Sequence, residues 1–435
     1  MKNEKITIIG TGYVGLVTGT CLAELGNEVF CIDIDSVRIE NLKEGIIPFY
    51  EPNLEELVKR NIKEKRLFFS IDLAPAISQS EIIFITVGTP AKENGEADLS
   101  YVEKAAQSIA KNLRDYAVIV VKSTVPPKTA KKIEGLIKKY YQGSFDIVSN
   151  PEFLREGSAI SDFMKPNRIV IGRESKKAEE VIRKLYEPLN SPILVTNLES
   201  AEMIKYASNA FLATKISFIN EIANICERIG ADVEEIAKGM GFDPRIGDKF
   251  LKAGLGYGGS CFPKDVRALI HIGEEMGVDF SLLKEVDKIN TRRIYIFVNK
   301  VKQVLWVLRE KKIAVLGLSF KPQTDDIRNA PSIEVIRELK KEGAYLRLYD
   351  PQAIANMKKI FPAQDPDLVY CPSAYEALEG ANAGLIITEW PEFQNLDLRK
   401  VKTIMSNPIL IDGRNIFEPA EVRKMGFEYY SIGRK

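Results

Sequence analysis

Short runs rich in β-branched residues recur along the first part of the chain, at 5–9, 28–32, 81–86, 117–121, 145–149, 168–172 and 192–196. Helical stretches separate them, and that alternation predicts a parallel, doubly wound α/β sheet. The pattern changes at Ser200. From there to Ile229 one long helical stretch, rich in Ala, Ile, Phe and Leu, continues until Gly230 stops it. Thirty residues of helix reach about 45 Å, longer than a small domain is wide, so this helix is expected to bridge domains. Its apolar positions cover more than one face, which predicts that part of it is buried against a second subunit in a homodimer or a higher homo-oligomer. A helical region then runs to about Lys311, and strands and helices alternate again at 312–317, 345–350, 384–388, 408–412 and 428–432. The expected organisation is therefore a nucleotide-binding domain at 1–199, a central helical, dimerising domain at 200–298 and a second α/β domain at 299–435.

At 435 residues the chain is too long for one ordinary core, which agrees with that division. Lys and Arg number 61 against 60 Asp and Glu, a formal net charge of +1, and 45% of residues are hydrophobic. This is the balance of a soluble globular enzyme and lacks the basic excess of a nucleic-acid binder. The first strand-like run begins at Lys5, leaving no room for a secretory signal, and no apolar run is long enough to span a membrane. The five cysteines (Cys21, Cys31, Cys226, Cys261, Cys371) are odd in number and have no metal-ligand spacing, so reduced thiols in the cytoplasm and no bound metal are expected. There is one histidine, His271, in a helix-like apolar segment that reads as core or surface. Catalysis is thus expected from Cys, Lys, Asp or Glu.

Gly10-Thr-Gly-Tyr-Val-Gly15 follows a strand and opens a helix, and a second strand ends at Asp33, 33 − 10 = 23 residues on. In a dinucleotide-binding turn Gly10 permits the turn, Gly12 lets backbone approach a pyrophosphate, Gly15 allows close helix packing, and Asp33 accepts the ribose hydroxyls. A carboxylate there repels a 2′-phosphate, favouring NAD over NADP, although Arg38 nearby pulls the other way. The second domain opens with Leu316-Gly-Leu-Ser319 and has no GxGxxG, so the halves are expected to share a Rossmann-like architecture without sharing a ligand. Around Cys261 the chain reads Gly254-Leu-Gly-Tyr-Gly-Gly-Ser-Cys-Phe-Pro-Lys-Asp265. So many glycines either let backbone close around a ligand and present a thiol, with Lys264 and Asp265 in support, or simply make a tight loop. Asn150-Pro-Glu-Phe-Leu-Arg-Glu-Gly157 follows a strand, where ligands of such folds bind, but also reads as a capped, solvated helix start. Lys205 and Asn209 are spaced i, i+4 among apolar neighbours; a lysine there has a job or snorkels to solvent.

Together these strings, with Val87-Gly-Thr-Pro90, Ser123-Thr-Val-Pro126, Gly317-Leu-Ser-Phe-Lys-Pro322, Thr324-Asp-Asp-Ile-Arg328 and Asp412-Gly-Arg414, resemble the UDP-glucose 6-dehydrogenase family, within the wider UDP-glucose/GDP-mannose dehydrogenases. The resemblance covers essentially the whole chain. It implies two Rossmann-like domains joined by a helical centre, and NAD-dependent oxidation of UDP-glucose to UDP-glucuronate through a Cys261 thiohemiacetal and thioester, two NADH per sugar. It implies Cys261 as nucleophile and Glu152 as the base that activates water, with Lys205, Asn209 and Asp265 around the sugar C6 and Thr124 nearby. Tyr13, Val14, Asp33, Arg38, Thr89, Thr124, Glu156, Lys264 and Arg328, with the three glycines, are implied as NAD contacts. Phe153, Leu154, Arg155, Glu156, Phe250, Leu251, Lys252, Ala253, Gly254, Gly258, Lys321 and Arg414, together with Lys205 and Asn209, are implied as UDP-sugar contacts. Arg245 is similar to an arginine that reaches the neighbouring subunit's substrate. The same chemistry on a UDP-N-acetylhexosamine or on GDP-mannose is the alternative; Glu389-Trp390 is similar to the UDP-glucose branch.

Overall fold

The computed structural model describes residues 4–435. Among them, fourteen strands form two sheets. The first sheet uses β1 (Lys5–Ile9), β2 (Glu28–Ile32), β3 (Leu67–Ser70), β4 (Ile82–Ile85), β5 (Ala117–Val121), β6 (Phe145–Ser149), β7 (Ile169–Arg173) and β8 (Ile193–Thr196) in the order 3-2-1-4-5-6-7-8. The second uses β9 (Lys312–Leu316), β10 (Tyr345–Tyr349), β11 (Leu368–Tyr370), β12 (Ala383–Ile386), β13 (Ile409–Asp412) and β14 (Glu428–Tyr430) in the order 11-10-9-12-13-14. In both, the order reverses beside the first strand, between β1 and β4 and between β9 and β12, and an open α/β sheet binds ligands at the carboxyl ends of its strands next to such a switch.

The apolar runs form strands because both faces of each sheet are covered. In β5, Val118 and Val120 join the core that includes Leu16 and Leu22 of the helix Tyr13–Glu24. Its alternate residues Ile119 and Val121 join Ala106 and Ile109 of the helix Ser100–Asn112. The second unit repeats the arrangement, with Ile313 and Val315 of β9 on one side and Ala314 and Leu316 on the other.

The first sheet is not wholly parallel, as the alternation predicted: β7 pairs antiparallel with β6 through Val148↔Arg173 and Ser149↔Gly172. Alternation of strands and helices along a sequence does not by itself fix strand direction, and the connection 150–168 returns the chain antiparallel beside β6. The edge strands β3 and β11, of four and three residues, were not expected.

The expected long helix is Leu198–Ile229, 32 residues and about 48 Å. The chain makes two compact units, one running up to Ser208 together with His271–Met276, the other Asn209–Ile270 with Gly277–Lys435. The long helix passes from the first into the second at Ser208.

Candidate active site

The turn after β1 gives each glycine of Gly10-Thr-Gly-Tyr-Val-Gly15 a different task. Gly10 has φ +98°, and a Cβ there would stand 3.1 Å from Val87. A Cβ on Gly15 would collide with the Gly10 carbonyl. Around Gly12, in contrast, nothing lies within 4 Å of a Cβ position. Gly12 also precedes the helix Tyr13–Glu24, whose N-terminus has no side-chain cap. An open, uncapped helix N-terminus is an anion site, which fits the pyrophosphate of a dinucleotide.

Asp33 stands where the ribose ligand was expected. Its Oδ2 accepts from the Thr11 backbone N–H at 2.7 Å, from the Thr11 hydroxyl at 2.9 Å and from Arg38 Nη1 at 3.1 Å. Oδ1 accepts only the Asp35 N–H, at 3.1 Å, which leaves it capacity for a hydroxyl donor. Burial alone would raise the Asp33 pKa, but the backbone bonds from Thr11 and Asp35, the Thr11 hydroxyl and Arg38 outweigh it and hold the carboxyl below its ordinary range. Arg38 also lies 3.6 Å from Asp35, so its charge is balanced by two carboxylates. It is therefore a poor partner for a 2′-phosphate. Tyr13 gives its hydroxyl to Glu51 at 2.5 Å, and Glu51, 3% exposed, also accepts the Gly157 and Ala159 N–H groups at 2.6 and 2.8 Å. This buried carboxylate, which sequence reasoning passed over in Tyr50-Glu51-Pro52, ties the glycine turn to the segment after Glu152.

At the carboxyl ends of β4 and β5, the Thr89 hydroxyl donates to the Thr124 carbonyl at 2.8 Å. Beyond β6, Glu152 Oε1 lies 2.8 Å from Lys205 Nζ, with both side chains about 5% exposed or less. Glu152 Oε2 accepts the Leu154 N–H at 2.6 Å. Burial pushes the Glu152 pKa up, and the Lys205 charge and hydrogen bond, with Leu154 and Lys122, bring it below the usual carboxylate range. Lys205 is thus buried against a carboxylate and does not snorkel to solvent. An isolated buried ion pair adds little net stability, while removing one partner costs about 3–5 kcal/mol, so such a pair suits chemistry more than folding. Phe153 lies under both Arg168 (3.6 Å to its ring centre) and Lys205 (5.4 Å). Arg155 is exposed and held by Asp162 at 2.6 Å; Leu154 and Glu156 are half-buried.

In the second unit Cys261 directly precedes the helix Phe262–Glu275, and its carbonyl accepts the Asp265 N–H at 2.8 Å. Asp265, 1% exposed, is gripped from both sides: Asn209 Nδ2 donates to Oδ2 and Lys264 Nζ to Oδ1, each at 2.6 Å. The Cys261 sulfur lies 3.5 Å from the Ser260 hydroxyl and is partly exposed, whereas Cys21, Cys31, Cys226 and Cys371 are buried. The glycines before it are packed against protein. A Cβ on Gly254 would meet the Gly413 carbonyl at 2.9 Å, one on Gly259 the Phe320 ring at 2.7 Å, and those on Gly256 and Gly258 would collide with Asn290 and Asn329. These positions leave no room for side chains, so glycine is required where the chain approaches Cys261.

Leu251 and Ala253 are buried in the core and Lys252 is exposed, while Phe250 holds a left-handed φ of +66°. Arg293, 1% exposed, donates to the Gly254 carbonyl at 2.6 Å. Arg414 Nε donates to the Ile387 carbonyl at 2.7 Å, its Nη1 to the Gly256 carbonyl at 3.2 Å, and it lies 3.3 Å from Glu389. Lys321 is half-buried, 5.5 Å from the Phe320 ring centre. Arg328 and Arg245 pair with Asp326 and Asp243, each at about 2.7 Å or less. Arg245 is 87% exposed. His271 sits 3.5 Å from Glu275 on its own helix. No metal-binding cluster occurs among the described residues, and no helix among them is long and apolar enough to cross a membrane.

An open glycine turn on a switch-point sheet, a ribose-ready aspartate and a second α/β unit define a dinucleotide-dependent oxidoreductase. The chain belongs to the UDP-glucose/GDP-mannose dehydrogenase family: its NAD binding domain matches residues 4–190, its central domain 199–292 and its UDP binding domain 314–419. The cofactor is NAD. The chain is 52% identical to the UDP-glucose 6-dehydrogenase TuaD of Bacillus subtilis, over 99% of this chain and 93% of that protein. Among solved structures, a UDP-glucose dehydrogenase from Pyrobaculum islandicum superposes with TM-score 0.92 at 36% identity, covering 100% of this chain and 98% of that one. A UDP-D-ManNAc dehydrogenase from Pyrococcus horikoshii gives 0.86 at 29% identity, covering 99% of each.

Proposed function

We propose that the chain oxidises UDP-glucose to UDP-glucuronate, with residues 1–199 taking NAD, 299–435 taking the UDP moiety and 200–298 joining them. The observation that carries the reading is Cys261, which directly precedes a helix and is partly exposed where the other four cysteines are buried. Bound NAD supplies the hydride acceptor for two successive oxidations, so two NADH leave per sugar.

Lys205, Asn209 and Asp265, with Thr124, surround C6, and loss of a proton and a hydride turns the alcohol into an aldehyde. The Cys261 thiolate adds to the aldehyde carbon, and the oxygen takes a proton to complete a thiohemiacetal. Loss of that proton and a second hydride gives a thioester. Glu152 then takes a proton from water as its oxygen adds to the thioester carbon; collapse expels the Cys261 thiolate and leaves the acid. Lys205 stabilises each oxyanion, and loss of one such donor costs about two to three powers of ten in rate. Gly10, Gly12, Tyr13, Val14, Gly15, Asp33, Arg38, Thr89, Thr124, Glu156, Lys264 and Arg328 are assigned to NAD. The UDP-sugar is assigned to residues 153–156, 250–254, Lys205, Asn209, Gly258, Lys321 and Arg414, and Arg245 to the substrate of a neighbouring subunit.

A homodimer or higher homo-oligomer accompanies this reading. Phe211, Phe218, Ile225 and Ile229 on the long helix are 65%, 48%, 53% and 70% exposed, and their spacing of seven, seven and four residues puts them on one stripe that a second copy would cover. Four buried, reduced thiols suit the cytoplasm.

The test is a count. With NAD and UDP-glucose the expected yield is two NADH per sugar; one would indicate a two-electron hydroxy-acid dehydrogenase, and none a nucleotide-sugar-binding protein. Running UDP-N-acetylhexosamines and GDP-mannose beside it decides the sugar, and 52% identity to a named UDP-glucose 6-dehydrogenase against 29% to a named UDP-D-ManNAc dehydrogenase favours glucose. Cys261→Ala is expected to abolish acid formation while NAD binding persists; full activity in that variant sinks the covalent route.

A further inference from the structure

Glu152 is asked to stay ionised at 5% exposure, and its hydrogen-bonded cation, Lys205, is asked at the same time to serve the oxyanion on C6. As the Lys205 protons turn toward that developing charge, their hold on Glu152 weakens. A second ammonium lies in the same cluster. Lys122 ends the buried strand β5 and is itself 5% exposed. Its Nζ donates to the Asn150 carbonyl oxygen at 3.1 Å and to the Tyr186 hydroxyl at 3.4 Å, and lies 5.8 Å from the Tyr186 ring centre. Tyr186 in turn donates to the same Asn150 oxygen at 2.6 Å, and Asn150 Nδ2 is fixed on the Val170 carbonyl at 2.8 Å. These partners are neutral, so they fix the ammonium without cancelling its charge. That charge favours the ionised form of Glu152. A cavity of about 40 Å³ beside them is lined by Lys122, Asn150, Glu152, Phe153, Arg168 and Tyr186, roomy enough for a water.

We propose that Lys122 is a positioning residue for the hydrolytic step, a second cation that keeps Glu152 ionised while Lys205 serves the oxyanion. The proposal rests on Glu152 being the base. The groups facing Glu152 are Lys205 from the long helix, Lys122 after β5, Arg168 before β7 and the Tyr13 phenol, with Asp162 on the cavity wall. Burial pushes Lys122 down to about 8, with Lys205 adding to the fall and Glu152 opposing it. Where a carboxylic acid titrates, Lys122 therefore carries its full charge.

The experiment separates thioester formation from its hydrolysis by rapid quench of the enzyme with NAD and UDP-glucose, measuring NADH and acid from pH 3.5 to 9. For Lys122→Met, an apolar chain of similar length that a buried site tolerates, the expected result is an unchanged early yield of two NADH per site. Acid release falls by up to about tenfold on the acid side, its acid limb moves up by about one pH unit, and the parent rate returns by pH 8. Lys122→Gln, the fallback if the Met variant does not fold, should show the same shift, and Lys122→Arg should restore the parent limb. An unmoved acid limb in a folded Met or Gln variant overturns the proposal. Glu152→Gln run alongside should accumulate thioester at every pH; if it does so while the Lys122 variants do not shift, only the proposal for Lys122 falls. If Glu152→Gln hydrolyses its thioester normally, the base assignment falls and takes the proposal with it.

Discussion

The two α/β units open with the same turn and put it to opposite uses. Gly10 and Gly317 both end a first strand with φ +98°, and each donates its N–H to the last residue of the neighbouring strand, Ile32 or Tyr349, at 2.8 Å. The next residue, Thr11 or Leu318, gives its N–H to an aspartate Oδ2 at 2.7 Å, Asp33 in one case and Asp350 in the other. There the likeness ends. Asp350 is 1% exposed and also takes the Ser319 N–H and hydroxyl and Trp390 Nε1 on Oδ2, with the Gln352 and Ala353 N–H groups on Oδ1. Every acceptor site is used internally. Asp33 keeps capacity on Oδ1, and where the second turn has the buried Ser319, the first has Gly12 with open space beside it. One backbone device thus becomes a cofactor cradle or a structural knot according to which side chains fill it.

The contrast breaks first at Asp350. Asp350→Ala removes the acceptor of six hydrogen bonds, and among the described residues only the Trp390 donor has a second acceptor, the Ser319 hydroxyl. A loss of about 3–5 kcal/mol in unfolding free energy is expected in urea titrations; a loss below about 1 kcal/mol would mean the carboxylate is not the knot. Gly12→Val comes next. Gly12 has φ −69°, open to any residue, so the melting temperature should hold within a degree or two while NAD affinity falls about a hundredfold by calorimetry. A variant that binds NAD normally would show that the open space is not the pyrophosphate site. Asp33→Ala is smaller: NAD should weaken about tenfold and the preference over NADP should relax, because Arg38 loses its main carboxylate. An unchanged preference would remove Asp33 from that role. The smallest effect is with pH. Since the folded pKa of Asp33 is depressed, its contribution to stability is present above its ordinary value of 3.8 and is lost only as pH falls through the lower folded value. NAD affinity should accordingly stay flat from pH 8 down to about pH 5, and a carboxylate-like decline within that window would contradict the depressed value.

Much of this was readable along the chain. The strand-forming runs are β-branched and bounded by turns, and the long helix ends at Gly230, because each feature depends on neighbours a few residues apart. The glycine turn with Asp33 was readable for the same reason. Other features were not. The direction of β7 is set by pairing that no local pattern records, and the packing of the glycines before Cys261 by contacts with Phe320, Asn329 and Gly413, far off in sequence. Glu51 and Lys122 escaped notice because neither belongs to a periodic pattern. A lysine closing five buried apolar residues was the one signal that could have pointed to Lys122.

Local chemistry, then, was settled in the chain: where strands and helices run, where backbone bends, and which few side chains carry thiol, carboxylate or ammonium. Folding decided what those groups became. Whether a carboxylate is open to a ligand like Asp33 or consumed like Asp350, and whether a lysine is solvated or held against Glu152, depends on donors and burial supplied by residues tens to hundreds of positions away. A dielectric and a set of hydrogen-bond partners belong to a place in the fold and have no counterpart in a segment of sequence.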